Sequence, residues 1–159
     1  MAQEAAGKGR NPQIELKCVI DSSMLGPLRT FVCSVARELG FTDAQVGEIE
    51  ICVDEACANA LEHAYDKGFE REFPNAERDL CLEMQFQGEE LTVRIIDHGC
   101  GGGEEGIHPR IRRIEDYLER DREKYRGLGL YLIHKLMDRV DVRSAPGRGT
   151  TVEMTKFRR

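Results

Sequence analysis

Apolar and polar positions change period several times along this chain, and each change marks an element. Between Gln13 and Ile20 the residues Ile14, Leu16, Cys18 and Ile20 alternate with polar neighbours, the period of a strand. A helix follows from a cap at Ser22 or Ser23 to Leu39, with Leu25, Leu28, Val32, Val35 and Leu39 on its core face. Pro27 falls in its first turn, where a missing N–H costs little, and Gly40 ends it. Thr42 with Gln45 forms a capping-box pattern, so a central helix starts at Asp43 and runs to about Gly68. Its buried stripe is Val46, Ile49, Val53, Ala56, Cys57, Ala60 and Ala64. Residues Phe69 to Arg78 are polar, contain Pro74 and read as a loop. Asp79 to Phe86 and Glu90 to Ile96 form a hairpin around Gln87-Gly88-Glu89. From Glu104 to Arg126 seven acids meet seven bases with few apolar anchors, the pattern of a partly helical cover, or lid. Leu128 to Met137 is a helix, Arg139 to Ser144 a strand, Pro146 to Gly149 a turn, and Thr150 to Lys156 the last strand.

The element order places helices against a mixed, mostly antiparallel sheet: an α+β fold, built as a two-layer α/β sandwich. With 159 residues, one domain over 13–159 behind a loose tail at 1–12 is expected. A net charge of −6 argues against a nucleic-acid surface. Neither a membrane-length apolar run nor a hydrophobic leader core is present, so a cytoplasmic protein with no membrane contact is expected. The six cysteines are irregularly spaced without a C-x-x-C pair, and they read as reduced, mostly buried small hydrophobes rather than zinc ligands.

Three stretches carry candidate chemistry. On the central helix, Glu55, Asn59 and His63 are spaced by four and share one side, beside a stripe of small residues that leaves room for a ligand. After the second strand of the hairpin, Asp97-His98-Gly99-Cys100-Gly101 offers a carboxylate able to accept from an exocyclic amine, with glycines that let the backbone approach a ring. Arg126-Gly127-Leu128-Gly129-Leu130 opens a helix, where glycine-flanked amides suit a phosphate. Gly149-Thr150-Thr151 begins the last strand, and a threonine hydroxyl there could support a bound base. Each motif alone is weak, since acidic turns, glycine-bearing helix starts and strand threonines are ordinary.

In this order and spacing the motifs resemble the GHKL (histidine kinase-like) ATPase superfamily. The wording of DEACANALEHAY, IIDHGCGG, RGLGLYLIHKLMDRVDV and GRGTTVEMTK is similar to the bacterial anti-sigma-factor serine kinases, over roughly Ile14 to Lys156. The resemblance implies a Bergerat-type ATP-binding fold with helices on one face of the sheet, and ATP and Mg²⁺ as cofactors. It implies Asn59 as the Mg²⁺ ligand and Glu55 as the general base toward an acceptor serine. It further implies Asp97 as the adenine reader, Gly99 and Gly101 packed near the base, Gly127 and Gly129 facing phosphates, and Thr151 behind the adenine. His98 stands where many superfamily members carry asparagine. The implied partners are a sigma factor, a STAS-domain anti-sigma-factor antagonist and a second copy of the chain.

The leading expectation is therefore an anti-sigma factor that phosphorylates its antagonist. The competing one is an ATP-dependent switch that recruits a partner without phosphorylating it. A sensor histidine kinase core fits less well, because no upstream helix pair carries an acceptor histidine.

Overall fold

The computed structural model describes residues 13–65, 78–99 and 128–159. The tail, most of the polar loop and the charged segment at 104–126 lie outside the described residues. So do Gly101 and Gly127, and with them the contacts expected of those two glycines.

Five strands and three helices make up the described fold: β1 (Ile14–Val19), α1 (Leu25–Glu38), α2 (Asp43–Asn59), β2 (Asp79–Gln87), β3 (Glu90–Asp97), α3 (Leu128–Leu136), β4 (Arg139–Ala145) and β5 (Gly149–Phe157). The strands form one sheet in the order β1-β2-β3-β5-β4, and all four pairings are antiparallel. The two hairpins are local, but pairing β3 with β5 places the last strand inside the sheet and β4 at its edge. Alternation then decides the faces. Leu91, Val93 and Ile95 of β3 point toward the helices with Leu80, Leu82 and Met84 of β2 and Val152 and Met154 of β5, and all are buried. The other face is polar: Arg94 bridges Glu83 and Glu153 at 3.2 and 2.5 Å, and Thr92 meets Thr155 at 2.9 Å.

The core-face residues expected of α2 are all buried, from Val46 to Ala64. Its capping box forms in full between Thr42 and Gln45. Gly40 ends the preceding helix at φ +84°, a conformation that side chains resist. Two boundaries differ from the expectation. Asp21, rather than either serine, is the cap: its carboxylate accepts from the Ser23 N–H at 2.7 Å and starts a short 3₁₀ turn that leads into α1. Moreover, α-geometry does not persist toward Gly68; directly after Asn59 the chain widens into a π turn over Ala60–Ala64.

Candidate functional site

The site is built around α2, with β3 and α3 each bringing a turn to it. Glu55 and Asn59 lie one helical turn apart and are both half-buried. α3 packs against α2, and its second residue meets them both. A methyl group on Gly129 would lie 2.5 Å from Glu55 Oε2 and 3.5 Å from Asn59 Nδ2. Gly129 therefore leaves the Glu55 carboxylate its place beside the start of α3. Burial raises the proton affinity of Glu55 above the ordinary glutamate value, and the nearby charges of Asp54 and Glu62 add to the effect.

At the other end stands Asp97, the last inward position of β3. Its phase with Leu91, Val93 and Ile95 drives the carboxylate to the helix side, where it is 5 % exposed. Oδ1 accepts from the Gly99 N–H at 3.1 Å and from the Thr150 N–H at 3.2 Å. Among the described donors none falls on Oδ2. Desolvation raises the Asp97 pKa, and the two backbone hydrogen bonds oppose it.

Close backbone approach holds this turn. A Cβ on Gly99 would overlap the Ala64 carbonyl, and one on Gly149, at φ +79°, would overlap the Asp97 carbonyl. The turn after β3 thus sits on the end of the helix that carries Glu55 and Asn59.

One assignment changes. Thr151 pairs with Ile96 and belongs to the polar outer face, away from Asp97. Thr150 pairs with Asp97, shares its face and hydrogen-bonds through Oγ1 to Ser144 Oγ at 2.8 Å. The reason is the two-residue period of the strand: Val152 and Met154 are inward, so Thr150 is inward and Thr151 is not. Counting back from Val152 and Met154 would have found it. Tyr65 is the other residue that sequence reasoning missed. It is 3 % exposed, and its hydroxyl accepts from the His98 N–H at 3.0 Å. The side chain of His63 lies outside the described residues.

A nucleotide fits what these residues offer: at one end a buried carboxylate with one oxygen unclaimed among the described residues, and at the other a glycine-cleared helix start beside a carboxylate and an amide. No group of three or more His, Cys, Asp or Glu that could hold a metal ion occurs among the described residues. The Asn59 side-chain amide is an oxygen donor of the kind that suits a hard cation such as Mg²⁺.

Fold and site together define an ATP-binding domain of the GHKL class. The chain belongs to the histidine kinase-like ATPase domain family, whose model matches residues 21–156. It is 31 % identical to the serine-protein kinase RsbW of Bacillus pumilus, over 91 % of this chain and 85 % of that protein. It is 29 % identical to the anti-sigma F factor of Caldanaerobacter subterraneus, over 92 % of this chain and 94 % of that one. The solved structure of the RsbU and RsbW domains of a Mycobacterium tuberculosis protein superposes with a TM-score of 0.60 at 17 % identity. It matches 94 % of this chain, which spans 34 % of that longer one, and the likeness concerns the fold.

Proposed function

We propose that the chain is an ATP-dependent protein-serine kinase that phosphorylates a STAS-type anti-sigma-factor antagonist and also sequesters a sigma factor. Membership of the ATPase family supports the use of ATP, and the relatives named serine-protein kinase and anti-sigma F factor support the kinase and the sigma-factor partner. The observation that carries the reading is the meeting of Glu55, Asn59 and Gly129 at one spot, on the helix whose far end seats the Asp97 turn.

Bound Mg·ATP supplies the phosphoryl group and, through the metal, neutralises charge that develops during transfer. Asn59 would hold that metal through its side-chain oxygen, and Gly129 would face the phosphates. Asp97 Oδ2 would accept from the exocyclic amine of the base, with Gly99 near the ring and Thr150, in place of Thr151, beside it. Glu55 takes the proton of the acceptor serine hydroxyl. Its raised pKa makes it a stronger base than an exposed glutamate. The partners act on a homodimer in the cytoplasm. No helix among the described residues is long and apolar enough to cross a membrane.

The test is Glu55→Ala. A base matters for transfer far more than for ground-state binding. The variant is expected to bind Mg·ATP and capture partners as the wild type does, yet to phosphorylate the antagonist ~10²–10⁴-fold more slowly in a single turnover. A wild-type protein that phosphorylates no antagonist from its own genome would leave the passive switch as the function. A Glu55→Ala protein that transfers at the wild-type rate would place the base elsewhere.

A further inference from the structure

We infer that Tyr65 is a positioning residue for nucleotide-base selection: with Asp79 it grips the backbone and side chain of His98 and so fixes the turn that aims Asp97. This rests on the reading of Asp97 as the base acceptor.

The grip is a closed ring of contacts. The His98 N–H donates to Tyr65 Oη at 3.0 Å, and that hydroxyl donates to the Asp79 carbonyl at 2.5 Å, with Asp79 Oδ1 at 3.2 Å. His98 Nδ1 lies 3.0 Å from Asp79 Oδ2. One phenol, buried at 3 % exposure, therefore joins three separate segments: the end of the central helix, the start of β2 and the turn after β3. The site needs such a tie because, among the described residues, Asp97 is held on one oxygen only. The direction of Oδ2 then depends on where residues 98 and 99 sit.

The π turn explains how Tyr65 arrives there. Widening the helix over Ala60–Ala64 shifts the phase of each later residue relative to an unbroken α-helix. It begins one residue after Asn59, so the phosphate end keeps α-geometry while the chain beyond it is re-aimed. Ala64 presents its carbonyl to Gly99 and Tyr65 its hydroxyl to His98. Adjacent residues of one helix end thereby contact adjacent residues of the base-reading turn.

The experiment uses the full chain and calorimetric titration with ATP and with GTP. Tyr65→Phe keeps the packed ring and removes the hydroxyl alone, leaving the His98 N–H and the Asp79 carbonyl without this partner. ATP is expected to bind about tenfold more weakly, the scale of one buried group losing its hydrogen bond, with GTP unchanged. A merely structural role would weaken both nucleotides alike. Asp79→Ala, which removes only the side-chain half of the grip, is expected to lower the ATP-over-GTP ratio by less, and it decides the matter if Tyr65→Phe does not fold. An unchanged ratio in folded Tyr65→Phe, or in Asp79→Ala where only that folds, overturns the inference. Asp97→Asn runs alongside: if it too leaves ATP binding unchanged, the base-reading assignment falls, whereas a loss confined to Asp97→Asn removes the role of Tyr65 alone.

Discussion

Gly129→Ala is the substitution for which stability and activity should part most cleanly. In the fold the new methyl adds a good helix former near the start of α3, a gain of at most about 1 kcal/mol. At the site the same methyl stands 2.5 Å from Glu55 Oε2, about 1 Å inside ordinary contact. The obstructing atom is the end of a flexible side chain, so Glu55 swings aside and the backbone stays. The cost therefore appears in the position of the carboxylate. A misplacement of about 1 Å at a reacting group costs on the order of 10²-fold in rate. Thermal unfolding should show a midpoint equal to or above the wild type, while single-turnover phosphorylation of the antagonist falls ~10²-fold. Gly99→Ala is the useful contrast, because its methyl meets the backbone carbonyl of Ala64, which has no rotamer to yield. A folded Gly129→Ala protein that transfers phosphate at the wild-type rate would refute both the contact and the role of Glu55.

Asp97→Asn should stabilise the empty fold while abolishing tight ATP binding. The Asp97 pKa is raised in the folded state, so its contribution to stability is present below the unfolded pKa and lost as pH rises through the folded one. The thermal midpoint of the variant should therefore exceed the wild type at pH 7, with the gap closing below pH ~4, near the ordinary aspartate value; no gap at pH 7 would contradict the desolvation argument. As the proposed base Glu55 must be charged for transfer, and its raised pKa should put the acid limb of the rate profile above the ordinary glutamate value of about 4.3. Asp54→Asn removes one neighbouring negative charge and should move that limb to lower pH; an unmoved limb would assign it to another group. Asn59→Ala should abolish the increase in ATP affinity that Mg²⁺ produces while the helix survives, and undiminished Mg²⁺ stimulation would reduce Asn59 to a helix-rim amide.

Features governed by neighbours in the chain were legible before the structure. The Thr42–Gln45 cap, the stripe of α2 and the two hairpins all depend on spacings of a few residues. The pairing of Glu55 with Asn59 on one side was legible for the same reason. The insertion of β5 between β3 and β4 was not, since strand partners far apart in sequence leave no local period. The cap at Asp21 is hard to tell from its neighbours by spacing, since Ser22 and Ser23 offer the same capping chemistry beside it. The π turn had no signal in the apolar stripe, which continues through Ala60 and Ala64 in either geometry. With that turn unseen, the hydroxyl of Tyr65 could not be brought to His98.

How the chain treats buried charge separates the two ends of the molecule. Lys156 is inward on β5, its side chain 8 % exposed, yet it is fully engaged. Its ammonium donates to the Leu136 carbonyl at 2.6 Å, pairs with Glu48 and lies 3.9 Å from Asp138. The charge thereby closes the C-terminal end of α3 against α2. Six residues back along the same strand, roughly 20 Å away, Thr150 stands beside Asp97. There burial again raises a carboxylate's proton affinity, as it does for Glu55, but among the described residues no lysine or arginine pairs with either acid. Helix propensity and packing do not account for the contrast, because the same two helices and the same strand run through both ends. A chain that compensates a buried ammonium at one end can supply a counter-charge where stability alone is at stake. The two raised carboxylates, Asp97 and Glu55, each have a glycine cleared beside them, Gly99 and Gly129, which is the arrangement the proposed nucleotide site calls for.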